Sequence, residues 1–504
     1  MSDSPPQAKL IRQQFPVQAG PLTTGPSNSS DRNGHMTTTS RREPSGHVLI
    51  VAYWFPPVRG GGIPRPVKMA KYLQRMGWRV TVLTIEADGV EDPGLSVAPA
   101  RVVRVRERDM RPALRTTASA LRGVRQLWEK ATRGEARGAA DADLIDLGFA
   151  EDESEIEASK IGWVSPAVKA ALRIHDADPV DVAVVSLPPA SSGTVGWFLN
   201  RLRKVPYVVE YRDPWTVGAF WTSDANGRRR ADPATRTRYA ATRKLEETLL
   251  RGAAAAVIVN GSRNVERLRA SFPAAMRGKP TVQIRNGVDL EDIPAPPASP
   301  TTGRLRVLHA GFFYYFHSPH HVIRAMRQIH ETDPGVLKDV EFEFMGGGFP
   351  DALLKASEEW GIRDNLVVTS SRPYSESLRS MSEADGLLVV LPPLESYRDC
   401  IPTKIYEYLG TGHPILAVVA KDGAVARLLE GVPNARVADN ADPDALAAGI
   451  TEYLGLLRRA EPSPAPEDGT AGAEHHYLHR AEELNELLGS VLTRNKNGNR
   501  GETS

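Results

Sequence analysis

Short, largely apolar runs alternate with helix-length stretches twice along this chain, and a proline-dense break separates the two series. In the first series the runs are 47–53, 79–84, 182–187, 207–211 and 255–259, with a helical pattern over 64–76 between the first two. Runs this short, apolar on successive positions, suit strands of a parallel sheet covered on both faces. Ile293-Pro-Ala-Pro-Pro-Ala-Ser-Pro300 then interrupts the pattern with the proline density of an interdomain linker. A second series follows at 305–309, 340–345, 366–368, 387–390 and 415–419. Strand–helix alternation marks the doubly wound α/β sheet. The expected architecture is therefore two Rossmann-like domains, 46–295 and 301–460, facing one another across a cleft.

A length of 504 residues fits two large domains with additions, and 41% hydrophobic residues suffice for their cores. A net charge of +2 argues against nucleic acid as a partner. The single cysteine, Cys400, excludes an internal disulfide and a cysteine-based zinc site. Residues 1–45 read as a disordered tail rich in Ser, Pro, Thr and Gln, without the apolar core of a signal peptide. No apolar run approaches the ~18 residues that span a bilayer. The expected location is the cytoplasm.

A charged insertion is read at 101–160, basic over 101–137 and acidic over 141–157. Within it, 113–128 carries Leu114, Leu121, Val124 and Leu127 on one side of a helix. Such a helix packs on its own domain or rests on an anionic membrane, which would bring the chain to the inner membrane face. The first reading is favoured. Residues 462–473 read as a flexible connector. A helix over 477–492, within a terminal segment 474–492, carries the stripe Leu478, Ala481, Leu484, Leu488 and Val491. Residues 493–504 read as a second disordered tail.

The chemistry concentrates at Asp399-Cys-Ile-Pro-Thr-Lys-Ile-Tyr-Glu407-Tyr-Leu-Gly-Thr-Gly-His-Pro414. It reads as a loop after a strand, a short helix from about Pro402, and a Gly412-His-Pro stop. A helix start at the carboxyl end of a parallel strand offers free N–H groups to an anion. Lys404 adds a full charge, and Glu407 follows about one turn later on the same face. A cation for phosphate with a carboxylate for hydroxyls suits a nucleotide-linked ligand.

Further segments stand where strands end. Gly60, Gly61 and Gly62 follow the first strand and let backbone approach a ligand closely. Pro64 and Pro66 suit the first turn of the next helix. Glu210, Arg212, Asp213 and Pro214-Trp215 end the run at 207–211. Asn260-Gly261 and Asn286-Gly-Val-Asp289 are turns. In His309-Ala-Gly311-Phe-Phe-Tyr-Tyr-Phe-His317-Ser-Pro-His-His321, Ser318 reads as a helix N-cap. The Asp-x-Asp pairs at 141, 176 and 442 do not directly follow apolar strands, so they read as solvated turns and no metal is expected.

The segment 399–414 resembles the donor-binding segment of retaining, family 4 glycosyltransferases of the GT-B fold, which carry a carboxylate, seven residues and a Glu. Here Asp399 takes the first place in lieu of the usual Glu. The opening from Tyr53 through Thr84, the Arg212-Asp-x-Trp215 segment and the Asn286-Gly-Val-Asp289 turn are similar to the same family. The resemblance implies a nucleotide diphosphate sugar as donor, an acceptor bound mainly by the first domain, and no cofactor or metal. It implies that Gly60, Gly61, Gly62 and Gly311 approach the donor, and it adds Arg65 to the same loop. It gives phosphate to Lys404, with Arg372, His317 and His320 as further candidates, because the family's usual Arg and Lys after Gly311 are missing. It gives sugar hydroxyls to Asp399 and ribose to Glu407. No histidine of the first domain lies near 206–216, so Arg212 and Asp213 take the acceptor end or that role is absent. The terminal helix would cross back to the first domain. The alternative is a degenerate nucleotide-sugar-binding or scaffold protein without transferase activity.

Overall fold

The computed structural model describes residues 46–108, 160–217, 233–295, 303–313, 317–459 and 472–501. The expectations for the tail 1–45, for the charged stretch from 109 to 159, for 296–302 of the linker and for most of the connector 462–473 lie outside these residues. The first half runs β1 (Gly46–Ala52), α1 (Pro64–Arg75), β2 (Trp78–Ile85), β3 (Arg101–Val105), α2 (Ile161–Ala177) and β4 (Val182–Leu187). It continues α3 (Ala190–Arg203), β5 (Tyr207–Tyr211), α4 (Pro233–Gly252), β6 (Ala255–Ile258), α5 (Arg263–Ser271), α6 (Pro273–Met276) and β7 (Thr281–Gln283). The second half runs β8 (Leu305–Ala310), α7 (His320–Thr332), β9 (Val340–Gly346), α8 (Asp351–Glu359), β10 (Leu366–Ser370) and α9 (Tyr374–Ser382). It ends β11 (Gly386–Val390), α10 (Lys404–Thr411), β12 (Ile415–Val419), α11 (Ala424–Leu428), β13 (Ala435–Asp439), α12 (Pro443–Leu457) and α13 (Tyr477–Gly501).

All strands pair in parallel, in a 7-stranded sheet ordered β3-β2-β1-β4-β5-β6-β7 and a 6-stranded sheet ordered β10-β9-β8-β11-β12-β13. Each is a doubly wound order that reverses direction once, between β1 and β4 and between β8 and β11. Successive residues point to opposite faces. Leu49, Val51 and Val185 thus pack with Trp163 of α2 and Leu199 of α3. Val48, Ile50 and Val82 pack with Val67 and Leu73 of α1. In the second half α7 and α12 cover one face of the sheet, and α9 and α10 cover the other.

Helix α13 follows the second sheet in sequence but buries Tyr477, Ala481, Leu484, Leu487, Leu488 and Val491 in the core that α1 shares with the first sheet. Its entry is held by Tyr477 N–H donating to Val288 O (2.9 Å). The helix continues to Gly501, through most of the stretch read as a disordered tail. Extending an established helix costs little beyond its propensity terms, so a polar end suffices. The start of the stretch read as a charged insertion is strand β3, an edge strand of the first sheet. Arginines on an edge strand discourage further pairing, and they hid this strand among the basic residues around it. Among the described residues no helix is long and apolar enough to cross a membrane.

Candidate active site

Open α/β sheets bind ligands beyond the carboxyl ends of their strands where the strand order reverses. In the second sheet that place lies past β8 and β11. After β8 comes Gly311 at φ +151°, and β9 ends on Gly346, followed by Gly347 and Gly348, at +144°, +103° and +71°. Gly311 N–H donates to Met345 O (2.8 Å) and Phe313 N–H to Gly347 O (3.1 Å). A Cβ at Gly346 would clash with Gly311 O, and one at Gly348 with Phe313 O. The two turns nest only because Gly346 and Gly348 carry no side chain.

Lys404 opens α10, and its ammonium lies against Gly311, where a Cβ would collide with Nζ. Nζ donates to His309 Nε2 at 3.2 Å. His309 is fully buried, stacked on Phe313 with centroids 4.6 Å apart, and its Nδ1 lies 3.0 Å from Leu388 O. A carbonyl only accepts, so Nδ1 carries the proton and Nε2 offers its lone pair to the ammonium. Burial, and then the Lys404 charge, hold His309 well below its ordinary pKa. Burial pushes Lys404 down to about 8. No side chain caps the first turn of α10, so its positive end is uncovered. Gly412, left-handed at φ +72°, ends the helix.

Glu407 lies one turn further on and is 7% exposed. Among the described residues nothing donates a hydrogen bond to its carboxylate. Burial pushes it up to about 7, with the Lys404 charge acting in the opposite sense. Asp292 and Lys68 of the first half also bear on it. Lys68 is itself buried and pairs with Asp292 and with Asp289 (3.0 Å). Asp289 also accepts from Tyr72 Oη (2.7 Å) and Lys71 Nζ (2.5 Å). The Asn286-Gly-Val-Asp289 turn is thus a charged anchor between α1 and α13.

On the first sheet, Gly60 and Gly61 border open space, since nothing stands within 4 Å of a Cβ at either. Gly62 packs on Arg212, whose guanidinium donates to Gly62 O (3.0 Å), Pro188 O (2.6 Å) and Leu187 O (3.4 Å). One side chain therefore joins the glycine loop to the ends of β4 and β5. Arg65 is 1% exposed and is occupied by Glu210 (2.9 Å) and Arg285 O (2.7 Å). Asp213 is exposed. Its Oδ1 accepts from Asn260 Nδ2 (3.1 Å), which also donates to Arg212 O (2.7 Å). Asn260 Oδ1 accepts from Ile401 N–H (3.2 Å), so this one residue joins the first sheet to the 399–403 loop. Burial, and then the nearby Asp213 charge, push the Cys400 thiol up to about 12.

Other expected residues are set among groups of the protein itself. The Asp399 carboxylate faces Arg267 (3.0 Å), Arg427 (3.7 Å) and Arg263 (3.9 Å) and is 3% exposed. Arg372 is held by Ser380 Oγ (2.6 Å) and by Glu343 (3.3 Å), a carboxylate it shares with Arg306. His317 Nε2 donates to Val390 O (2.7 Å), and burial lowers it to about 4. Ser318 does not cap α7: Pro319 occupies the N-cap position, and the Ser318 hydroxyl is buried without a hydrogen-bond partner. His47 bonds Thr81 (2.9 Å) and His175 accepts from Val180 N–H (3.1 Å), so both are structural. The sequence reading took Asn260 only as part of a turn and passed over Gly346–Gly348. The Asn-Gly turn and the consecutive glycines after a strand were the available signals.

The fold these sheets define is that of the GT-B glycosyltransferases. Sucrose-phosphate synthase from Thermosynechococcus elongatus superposes with a TM-score of 0.59 at 15% identity, covering 89% of this chain and 100% of that one. WaaG, a glycosyltransferase involved in lipopolysaccharide biosynthesis, gives 0.52 at 13% identity over 89% and 98%. A single-site mutant of S. aureus TarM, in complex with Fondaparinux, alpha-GlcNAc-glycerol and UDP, gives 0.50 at 10% identity over 89% and 99%. Residues 60–287 match the family described as glycosyl transferase 4-like domain. No curated protein matches the sequence.

Proposed function

We propose that the chain is a glycosyltransferase that moves a sugar from a nucleotide diphosphate donor to an acceptor, with retention and without a metal. One observation carries this reading. A buried carboxylate with no hydrogen-bond donor, Glu407, stands one turn from the Lys404 ammonium at the uncapped start of α10. Such a carboxylate is costly unless a ligand supplies the donors, and two ribose hydroxyls do so. The diphosphate lies across the α10 start, Lys404 and the Gly311 turn. Neighbours of this fold fit: the TarM complex holds UDP.

The acceptor approaches from the first half, past Gly60 and Gly61 and beside Asp213. In a front-face reaction the bond from the anomeric carbon to the diphosphate breaks, and the acceptor oxygen bonds on the same face. The acceptor proton passes to the departing phosphate oxygen. The α10 dipole and Lys404 stabilise the charge that grows on the diphosphate. No general base from the protein is then required, which fits a first half whose described histidines are structural.

Calorimetry with a panel of nucleoside diphosphates tests the reading. Glu407→Ala is expected to lose ~2–3 kcal/mol of affinity for the nucleotide that binds, the scale of hydrogen bonds to a charged group. An unchanged Kd in that variant removes the assignment.

A further inference from the structure

We infer that Asp399 is a positioning residue: its buried carboxylate, set among Arg263, Arg267 and Arg427, latches the 399–403 loop of the second half onto the first half, and it is not a ligand of the transferred sugar. Both carboxylate oxygens are buried and, among the described residues, neither accepts a hydrogen bond, so what compensates them is the ion-pair charge of the arginines. A buried carboxylate is tolerated when opposite charge surrounds it, and removing that charge is strongly destabilising. Here the charge crosses between the halves. Arg263 and Arg267 lie one turn apart on α5 of the first half, and Arg427 lies on α11 of the second.

The main chain repeats the connection. Gly261 N–H donates to Asp399 O (2.9 Å), and Ile401 N–H donates to Asn260 Oδ1 (3.2 Å). A Cβ at Gly261 would stand 2.9 Å from Asp399 O, so a glycine is needed for this approach. The short side chain of aspartate keeps its carboxylate beside this backbone contact. Glu407 differs in its charge surroundings: among the described residues no cation stands within ion-pair distance of its carboxylate, whereas three arginines face Asp399. A sugar hydroxyl reaching Asp399 would have to displace guanidinium groups from oxygens that are already covered. The three arginines are 48%, 40% and 46% exposed, so they can be changed without opening a core.

The latch stands apart from the proposed chemistry, whereas its consequence for the sugar rests on that reading. Hydrogen–deuterium exchange on the full chain tests the latch directly. Arg267→Gln is expected to raise exchange across residues 398–403, in the other half, by about ten-fold, because local opening follows the free energy of the contacts that hold it. Asp399→Asn is expected to do the same across 259–268, and the double variant to add little, because the two residues share one interaction. Wild-type exchange at 398–403 in Arg267→Gln overturns the latch. Binding of UDP and UDP-glucose forms a second arm, in which Asp399→Asn is expected to leave the ratio of the two affinities within about two-fold of wild type. Selective loss of UDP-glucose in Asp399→Asn, with Arg267→Gln silent, makes Asp399 a sugar ligand and overturns the second half of the inference. If the wild type binds no nucleotide while the exchange coupling persists, the proposed function fails and the latch remains.

Discussion

Lys404 and Glu407 are displaced toward one another in acidity, and this sets two limits on ligand binding. On the proposed reading Glu407 accepts from ribose as a carboxylate, the form present above about 7. Lys404 attracts phosphate as an ammonium, the form present below about 8. Affinity for a nucleotide sugar, whose diphosphate does not titrate in this range, is therefore expected to peak between these values and fall on both sides. Calorimetry across pH checks this. Glu407→Gln is expected to erase the acid limb and keep the alkaline one. Gly311→Ala is a steric test at the same place, since its Cβ would collide with Lys404 Nζ on a backbone at φ +151°. It is expected to weaken nucleotide binding at least ten-fold, roughly 1.4 kcal/mol, while the fold is retained. The Lys404–Glu407 pair was legible in the sequence because one helical turn fixes it locally. The His309 tautomer and the bonds of Asn260 were not, because each depends on a partner from a distant segment. The same holds for Arg65 and Arg372: an arginine in a suggestive loop reads alike whether it faces a ligand or an internal carboxylate.

At the level of elements, the strands buried on both faces were legible, and of the four edge strands only β10 was read. β3, β7 and β13 went unread: β3 and β13 carry arginine, and β7 is a three-residue strand. An edge strand buries one face at most, so its pattern is diluted. The stripe on α13 was legible from its spacing. That helix belongs to the end of the chain and completes the core of its beginning, so Leu484, 1% exposed, is a direct probe. Leu484→Ala is expected to cost ~2–5 kcal/mol, read from urea unfolding. Nucleotide affinity is expected to stay within about two-fold, since α10 and Gly311 are untouched. A variant as stable as wild type would mean that α13 contributes little to the first half.

Across the whole molecule, the arrangement expected from two strand–helix series is present: two parallel sheets of doubly wound order. Between them, the 399–403 loop is tied to the first half by Asn260, by Gly261 and by the arginines of α5, while Asp92 of the first half accepts from Ser375 at the start of α9 (3.0 Å). On the proposed reading, donor groups on one half and acceptor groups on the other meet across this junction, which is where a reacting pair can be shielded from water. The most direct test of the central claim is proton NMR of the full chain with a panel of nucleotide sugars, following the first sugar product. The account predicts that one donor is consumed to a nucleoside diphosphate and a sugar that first appears in the donor's own anomeric configuration, unaffected by a metal chelator and abolished in Glu407→Ala. A bound donor that is never consumed, or a product that first appears inverted, would contradict it.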